Sequence, residues 1–463
     1  MMNFSKKQIV LILIGLSYMV FSCKSAKKPL PKEKPQPSRT EAGKIITKLS
    51  CENDPSQSFA LYLPKDYYIQ KKWPVLYCFD AHARGALPVK RYSPLAEKYG
   101  YLLIGSNAIK NGQSGREQQR LINLLFRDTA TRFHLNPLRK YVLGFSGGAR
   151  TAVLTAMQHA DIKGVIGCAA GFPSNRQPLQ RRFDYMGMVG RSDFNYWEMI
   201  QLNRALDKTP LRHVLLLFEG KHGWPEPEVM DKGFLWLEFN AMRDGQVLRE
   251  SESVDNFADR ERKKIEEWKK KRLWDEAGRE ERLAIAFLEG LSDVSGFEQD
   301  LNTLLHSPAY LRAVKRDNEL QQAEFTSRQT FQSAFSAKSL SWWKGQVKRL
   351  HSHTADFQSN RMHRRLLAFL SLYCYLSGEQ ALKKHQLKAA GCYLDVYKLV
   401  DASNADRYYL SAWLDILRGE RERAVESLLQ SFKLGIDEQQ KIWQIPQLRP
   451  LLSDARLRVY LRN

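Results

Sequence analysis

The chain has 463 residues, 43% of them apolar, which leaves room for two separately cored domains. Its 72 Lys and Arg against 50 Asp and Glu give a formal charge of +22. The basic residues are scattered among acidic neighbours, with no zinc-finger spacing, recognition-helix cue or RNA-binding aromatic motif, which argues against nucleic acid; the basic surface favours anionic lipid, surface polysaccharide or an acidic substrate.

At the N-terminus, Lys6-Lys7 precede the apolar stretch Ile9 to Phe21, too short to span a bilayer but the right length for a signal-peptide core. It ends in Val20-Phe21-Ser22-Cys23. An aliphatic residue, any residue, a small residue and then cysteine resembles a bacterial lipoprotein signal, although Phe21 is bulkier than the pattern favours. The resemblance implies that residues 1–22 are removed, that Cys23 is lipidated, and that the protein is held at a membrane of the bacterial cell envelope. A conventional secretory signal or an uncleaved anchor is the alternative. Residues 23–43 are rich in Lys, Pro and Ser and read as a flexible tether.

From residue 44 strand and helix patterns alternate. Ser58 to Leu63 is a short strand ending at Pro64, and Pro74 to Phe79 is a second. Then come a helix from Ser93 to Tyr99, a strand from Tyr101 to Ser106, an amphipathic helix from Arg116 to Phe133, an apolar run from Lys140 to Leu143, and an alanine-rich helix from Ala149 to Ala160. Lys163 to Ala169, Phe183 to Val189 and His213 to Phe218 read as strands, and Tyr196 to Leu206 and Glu228 to Met242 as helices. This alternation predicts an α/β fold, a mostly parallel sheet with helices on both faces, whose ligands bind beyond the carboxyl ends of the strands.

Three motifs fall at such ends. Gly144-Phe145-Ser146-Gly147-Gly148 lies between the Lys140 run and the alanine-rich helix, where the glycines permit a tight strand-to-helix turn that lifts the serine hydroxyl into reach. Gly190-Arg191-Ser192-Asp193 follows one strand, and Glu219-Gly220-Lys221-His222-Gly223-Trp224 follows the last. Serine, acid and histidine in this order and context resemble the α/β-hydrolase family over Lys44 to Gly245. A serine hydroxyl is a weak nucleophile without a base, so Ser146 is the expected nucleophile, His222 its base and Asp193 the group that orients the imidazole. Glu219 is a substitute acid. Asp184 and His213 begin their strands and should face the opposite end of the sheet.

The backbone N–H of Gly147 is one expected oxyanion donor by position. By resemblance to secreted esterases and polyester depolymerases, the second is the N–H of His82, although this chain has Asp80-Ala81 where they carry a His-Gly pair. Trp224, Trp197 and Arg84 are candidates to line an acyl or sugar pocket. Neither a metal nor an organic cofactor is expected. Cys51, Cys78, Cys168, Cys374 and Cys392 show no C-x-x-C or metal spacing, and Cys78 and Cys168 read as small core residues.

Near Gln246 the composition shifts and strand-like runs stop, which marks residues 246–463 as a second, all-helical domain. Gly378 and Ala412, Ala390 and Ala424, and Leu394 and Leu428 are each 34 residues apart, resembling tetratricopeptide repeats, whose small residues let paired helices approach closely. A turn at Gly419-Glu420 leads into a helix from Arg423 to Leu434, and Phe287 to Leu350 is expected to supply degenerate hairpins. The repeat resemblance implies a protein partner; a packing module is the alternative. The whole reads as a membrane-anchored carboxylic-ester hydrolase with an ester-bearing substrate. A serine peptidase or amidase, and a noncatalytic envelope scaffold, are the competing readings.

Overall fold

The computed structural model describes residues 41–173, 183–436 and 439–461. The expectations for residues 1–40, Cys23 and its lipid among them, lie outside the described residues. Among the described residues eight strands form one sheet: β1 (Ile45–Ser50), β2 (Ser58–Tyr62), β3 (Trp73–Asp80), β4 (Leu102–Ser106), β5 (Leu135–Phe145), β6 (Ile162–Cys168), β7 (Asp184–Gly190) and β8 (His213–Phe218). Their spatial order is β1-β2-β4-β3-β5-β6-β7-β8. β2 runs antiparallel to both β1 and β4, and every pairing from β4 to β8 is parallel.

Both faces of the sheet are covered, which explains why β3 is apolar at nearly every position rather than at every second one. Leu76 and Cys78 point to one face with Leu143, Ile166, Cys168, Met186 and Leu216. Val75, Tyr77 and Phe79 point to the other with Leu102, Ile104, Val142 and Val165. The first face is covered by α1 (Ala86–Tyr99) and α5 (Pro227–Arg243), the second by α2 (Gly115–Arg132) and α3 (Gly147–Gln158); α4 (Tyr196–Leu206) packs on Val189.

The shift in composition at Gln246 does not end this core. Helices α6 (Ser251–Lys270), α7 (Trp274–Leu288) and α8 (Ser295–Leu305) add Val254, Phe257, Ile265, Leu283, Phe287 and Phe297 to the same apolar cluster that covers the first sheet face. Phe257 stacks on Phe287 with ring centres 4.6 Å apart and meets Phe239 of α5 edge-on at 5.6 Å. Polar outer faces hide this continuity from the sequence: α6 buries only Val254, Phe257, Glu261 and Ile265. Phe257→Ala is expected to cost about 3–5 kcal/mol, the usual range for emptying a buried aromatic site, and to shift a single unfolding transition in urea that sheet and helices share.

A second apolar cluster begins at Phe331. It joins α9 (Pro308–Ala337), α10 (Leu340–His351), α11 (Phe357–Lys383), α12 (Leu387–Val400), α13 (Ala405–Leu417) and α14 (Arg421–Lys433). Ala390, Ala412 and Ala424 are fully buried, and a Cβ placed on Gly378 would touch Leu394 at 3.6 Å. The same spacing recurs in the backbone: His385 and Gly419, in the turns that open α12 and α14, both have positive φ, 54° and 83°. Tyr409 donates its hydroxyl to that of Tyr375 at 3.1 Å, 34 residues earlier. Among the described residues no helix is long and apolar enough to cross a membrane.

Candidate active site

Ser146 stands alone between β5 and α3 with φ 55° and ψ −120°, a conformation foreign to either element. Holding a non-glycine residue there costs on the order of 1–3 kcal/mol, met by the surrounding packing. Two glycines make the turn sterically possible. A Cβ on Gly144 would lie 2.1 Å from the Gly148 carbonyl oxygen, and one on Gly148 would lie 2.1 Å from that of Phe79. The Ser146 N–H donates to the Cys168 carbonyl at 2.8 Å, which ties the elbow to the neighbouring strand.

The carboxyl ends of β5, β7 and β8 bring Ser146, Asp193 and His222 together. His222 Nε2 is 3.1 Å from Ser146 Oγ. Its Nδ1 lies 3.0 and 2.9 Å from the two Asp193 carboxylate oxygens. With Nδ1–H donating to the carboxylate, Nε2 carries the lone pair and faces the hydroxyl, the tautomer a general base needs. Asp193 is fully buried, its Oδ1 also accepting the Asn195 N–H at 2.8 Å, whereas the His222 side chain is 20% exposed. The imidazole is packed against Phe194, stacked at 4.2 Å, and Phe145 at 4.9 Å.

The rival acids and histidine have other duties. Glu219 pairs with Arg361 and, at 3.3 Å, with Arg191. His213 bonds to the Leu211 carbonyl and to Asp207. Asp184, at the amino end of β7, pairs with Arg212 at 2.8 Å. Burial raises the Asp184 carboxyl to about 6 against the opposing pull of Arg212. The folded state therefore holds this proton more tightly than the unfolded chain does. Its contribution to stability is full below the unfolded value of about 4 and is lost as pH rises through 6. Asp184→Asn is expected to flatten that part of the stability curve, as read from urea midpoints across the window.

The expectation for the second oxyanion donor needs correction. The Gly147 N–H heads α3 and so has no acceptor within its helix. The His82 N–H, in contrast, donates to Asp80 Oδ1 at 2.9 Å, because a carboxylate occupies the position where the resembled esterases carry histidine. Arg84 and Trp224, expected to line a pocket, also hold Asp80: Arg84 Nε donates to Oδ1 and Trp224 Nε1 to Oδ2, both at 2.9 Å. Asp80 is fully buried, and these donors satisfy its oxygens there. Trp197, also expected to line a pocket, is buried, its indole N–H donating to Glu324 of α9 at 2.9 Å.

One residue at the site went unseen in the sequence. The Asn111 carboxamide lies against Gly147, where an added Cβ would come within 1.7 Å of Oδ1 and 2.8 Å of Nδ2. It is placed there by the Asn111 N–H donating to the Ala81 carbonyl at 2.9 Å and by a bridge between His82 and Lys110. Asparagine in a glycine-flanked loop carries no signal of this by itself. Among the described residues no group of His, Cys, Asp and Glu could hold a metal ion.

The strand order, the antiparallel second strand and the strained serine after the fifth strand decide the architecture. The sheet has the α/β-hydrolase fold. No family model matches the chain, and no curated protein matches it. Solved structures with a similar arrangement include an S-formylglutathione hydrolase from Staphylococcus aureus, 15% identical over 42% of this chain and 95% of that one, with a TM-score of 0.36. An esterase from Pyrobaculum calidifontis is 10% identical over 43% and 87%, with a TM-score of 0.35. The feruloyl esterase module from Clostridium thermocellum is 15% identical over 45% and 90%, with a TM-score of 0.33.

Proposed function

We propose that this protein is a serine carboxylic-ester hydrolase. The observation that carries the reading is the unbroken chain from Ser146 Oγ through the His222 ring to the Asp193 carboxylate, standing on a strained elbow at the carboxyl edge of the sheet. Ser146 attacks the acyl carbonyl while Nε2 of His222 takes its proton; Asp193 steadies the imidazolium that results. The oxyanion of the tetrahedral intermediate is held by the Gly147 N–H, whose own helix offers it no acceptor. His222 then returns the proton to the leaving alkoxide, and water releases the acyl group by the same steps in reverse.

The wider reading is that lipidated Cys23 tethers the enzyme to a bacterial envelope membrane, and that α11 to α14 are tetratricopeptide-like hairpins able to take a protein partner. Cys23→Ser is expected to move the protein from the membrane to the soluble fraction without loss of activity. Persistent membrane association would remove the lipid anchor from this account. A matched panel of short p-nitrophenyl esters and p-nitroanilide peptides tests the chemistry: ester turnover at least 10²-fold above amide turnover is expected. The reverse order would make the chain a peptidase.

A further inference from the structure

The loops that carry Asp193 and His222 are gripped from the helical region. Arg365 of α11 donates from Nη1 to the Arg191 carbonyl at 2.9 Å and from Nε to Glu324 Oε2 at 2.8 Å. Arg328 of α9 donates to the Phe194 carbonyl at 2.8 Å and pairs with the other Glu324 oxygen at 2.6 Å. The two carbonyls bracket Asp193, and Phe194 is the residue stacked on the His222 ring. Glu324 is thus the fully buried hub for two arginines and the Trp197 indole.

A second set reaches the histidine loop. Arg361 of α11 pairs with Glu219, which opens the loop to His222, and donates to Glu276 of α7 at 3.0 Å. Glu276 pairs in turn with Arg191 at 2.7 Å. Burial pushes the Glu276 carboxyl up, but the guanidiniums of Arg191, Arg279 and Arg361 outweigh it and hold the group below its ordinary range. The side chains of Arg361, Arg365, Glu276 and Glu324 are at most 4% exposed.

Buried ion pairs of this kind contribute little net stability, because desolvation offsets most of their attraction and apolar residues of similar volume would pack as well. They do fix geometry, since a planar guanidinium sets both the distance and the direction of each carbonyl it holds.

We propose that Arg365, together with Arg328, is a positioning residue of the active site. Through the Arg191 and Phe194 carbonyls it keeps the Asp193 carboxylate and the Phe194 ring in register with His222, which makes the helical region a working part of the enzyme. The proposal rests on the serine-hydrolase reading above.

The test uses the full chain in four variants: Arg365→Ala, Arg365→Lys, Arg328→Ala, and Arg456→Ala as a control whose partner Glu422 is an exposed residue of α14. Active sites are counted with a fluorophosphonate, and kcat and KM are measured per titrated site. Arg365→Ala is expected to lose about 10²-fold in kcat with KM nearly unchanged, as a displacement of about 1 Å at a catalytic group does. Arg365→Lys and Arg328→Ala should lose less, the control nothing, and added guanidinium should restore part of the activity of Arg365→Ala alone. If Arg365→Ala yields no folded protein, Arg365→Lys and Arg328→Ala supply the same readout. Unchanged kcat per titrated site, with only fewer sites, would overturn the proposal and make the arginines folding elements. A wild-type chain whose Ser146 takes no phosphonate is a separate outcome, which removes the hydrolase reading and the proposal with it.

Discussion

Ser146→Ala is expected to lower kcat for short p-nitrophenyl esters by on the order of 10⁶-fold, as deletion of a serine nucleophile does when base and acid act with it as one unit. The thermal midpoint should barely move. Ser146 makes no capping bond to α3, so no helix cap is lost. Alanine at φ 55° carries the same backbone strain, so none is relieved. The His222 ring, 20% exposed, loses one partner at Nε2 and keeps Asp193 at Nδ1. Loss of activity and conservation of stability are therefore separable, and a wild-type melting curve beside an inactive enzyme is the outcome to look for.

Truncation after Gly245, where the composition changes, should abolish folding rather than release a hydrolase. The cut removes Phe257, Val254, Ile265 and Phe287 and uncovers Trp236 and Phe239, whose rings pack on Phe287 at 5.0 and 6.1 Å. Each such side chain contributes about 1.5–3 kcal/mol by burial, so the set rivals the 5–15 kcal/mol that usually holds a whole domain together. A cut after Leu305 instead retains every member of that cluster. It is expected to give soluble protein with a cooperative transition by circular dichroism. Equal solubility of the two truncations would contradict the shared core.

The sheet was legible because doubly buried strands such as β3 and β6 are apolar at nearly every position and are punctuated by glycine and proline. Ser146, Asp193 and His222 were legible because each follows such a strand within a few residues. Helix starts were less so: α1 begins at Ala86, well before Ser93, because Pro88 is tolerated in its first turn and Pro94 does not stop it. β1 is exposed at alternate stretches and lacks an apolar run to announce it. Between Phe287 and Leu350, where degenerate hairpins are expected, α9 runs for 30 residues and buries only Leu320, Glu324, Phe331 and Ala334, so its length had no apolar stripe to announce it. Glu324, Arg328 and Arg365 look like solvated helix charges in one dimension. Their partners lie far along the chain, at Arg191, Phe194 and Trp197, and only the fold brings them together. The same holds for Asp80, whose burial diverts the His82 N–H from the role the resemblance implied.

The most direct test of the account is to treat the folded chain with a fluorophosphonate and map the adduct by peptide mass spectrometry. One stoichiometric adduct is expected, on Ser146, that disappears when the protein is unfolded first and in His222→Ala. A folded protein that takes no adduct, or takes it on another serine, would contradict it.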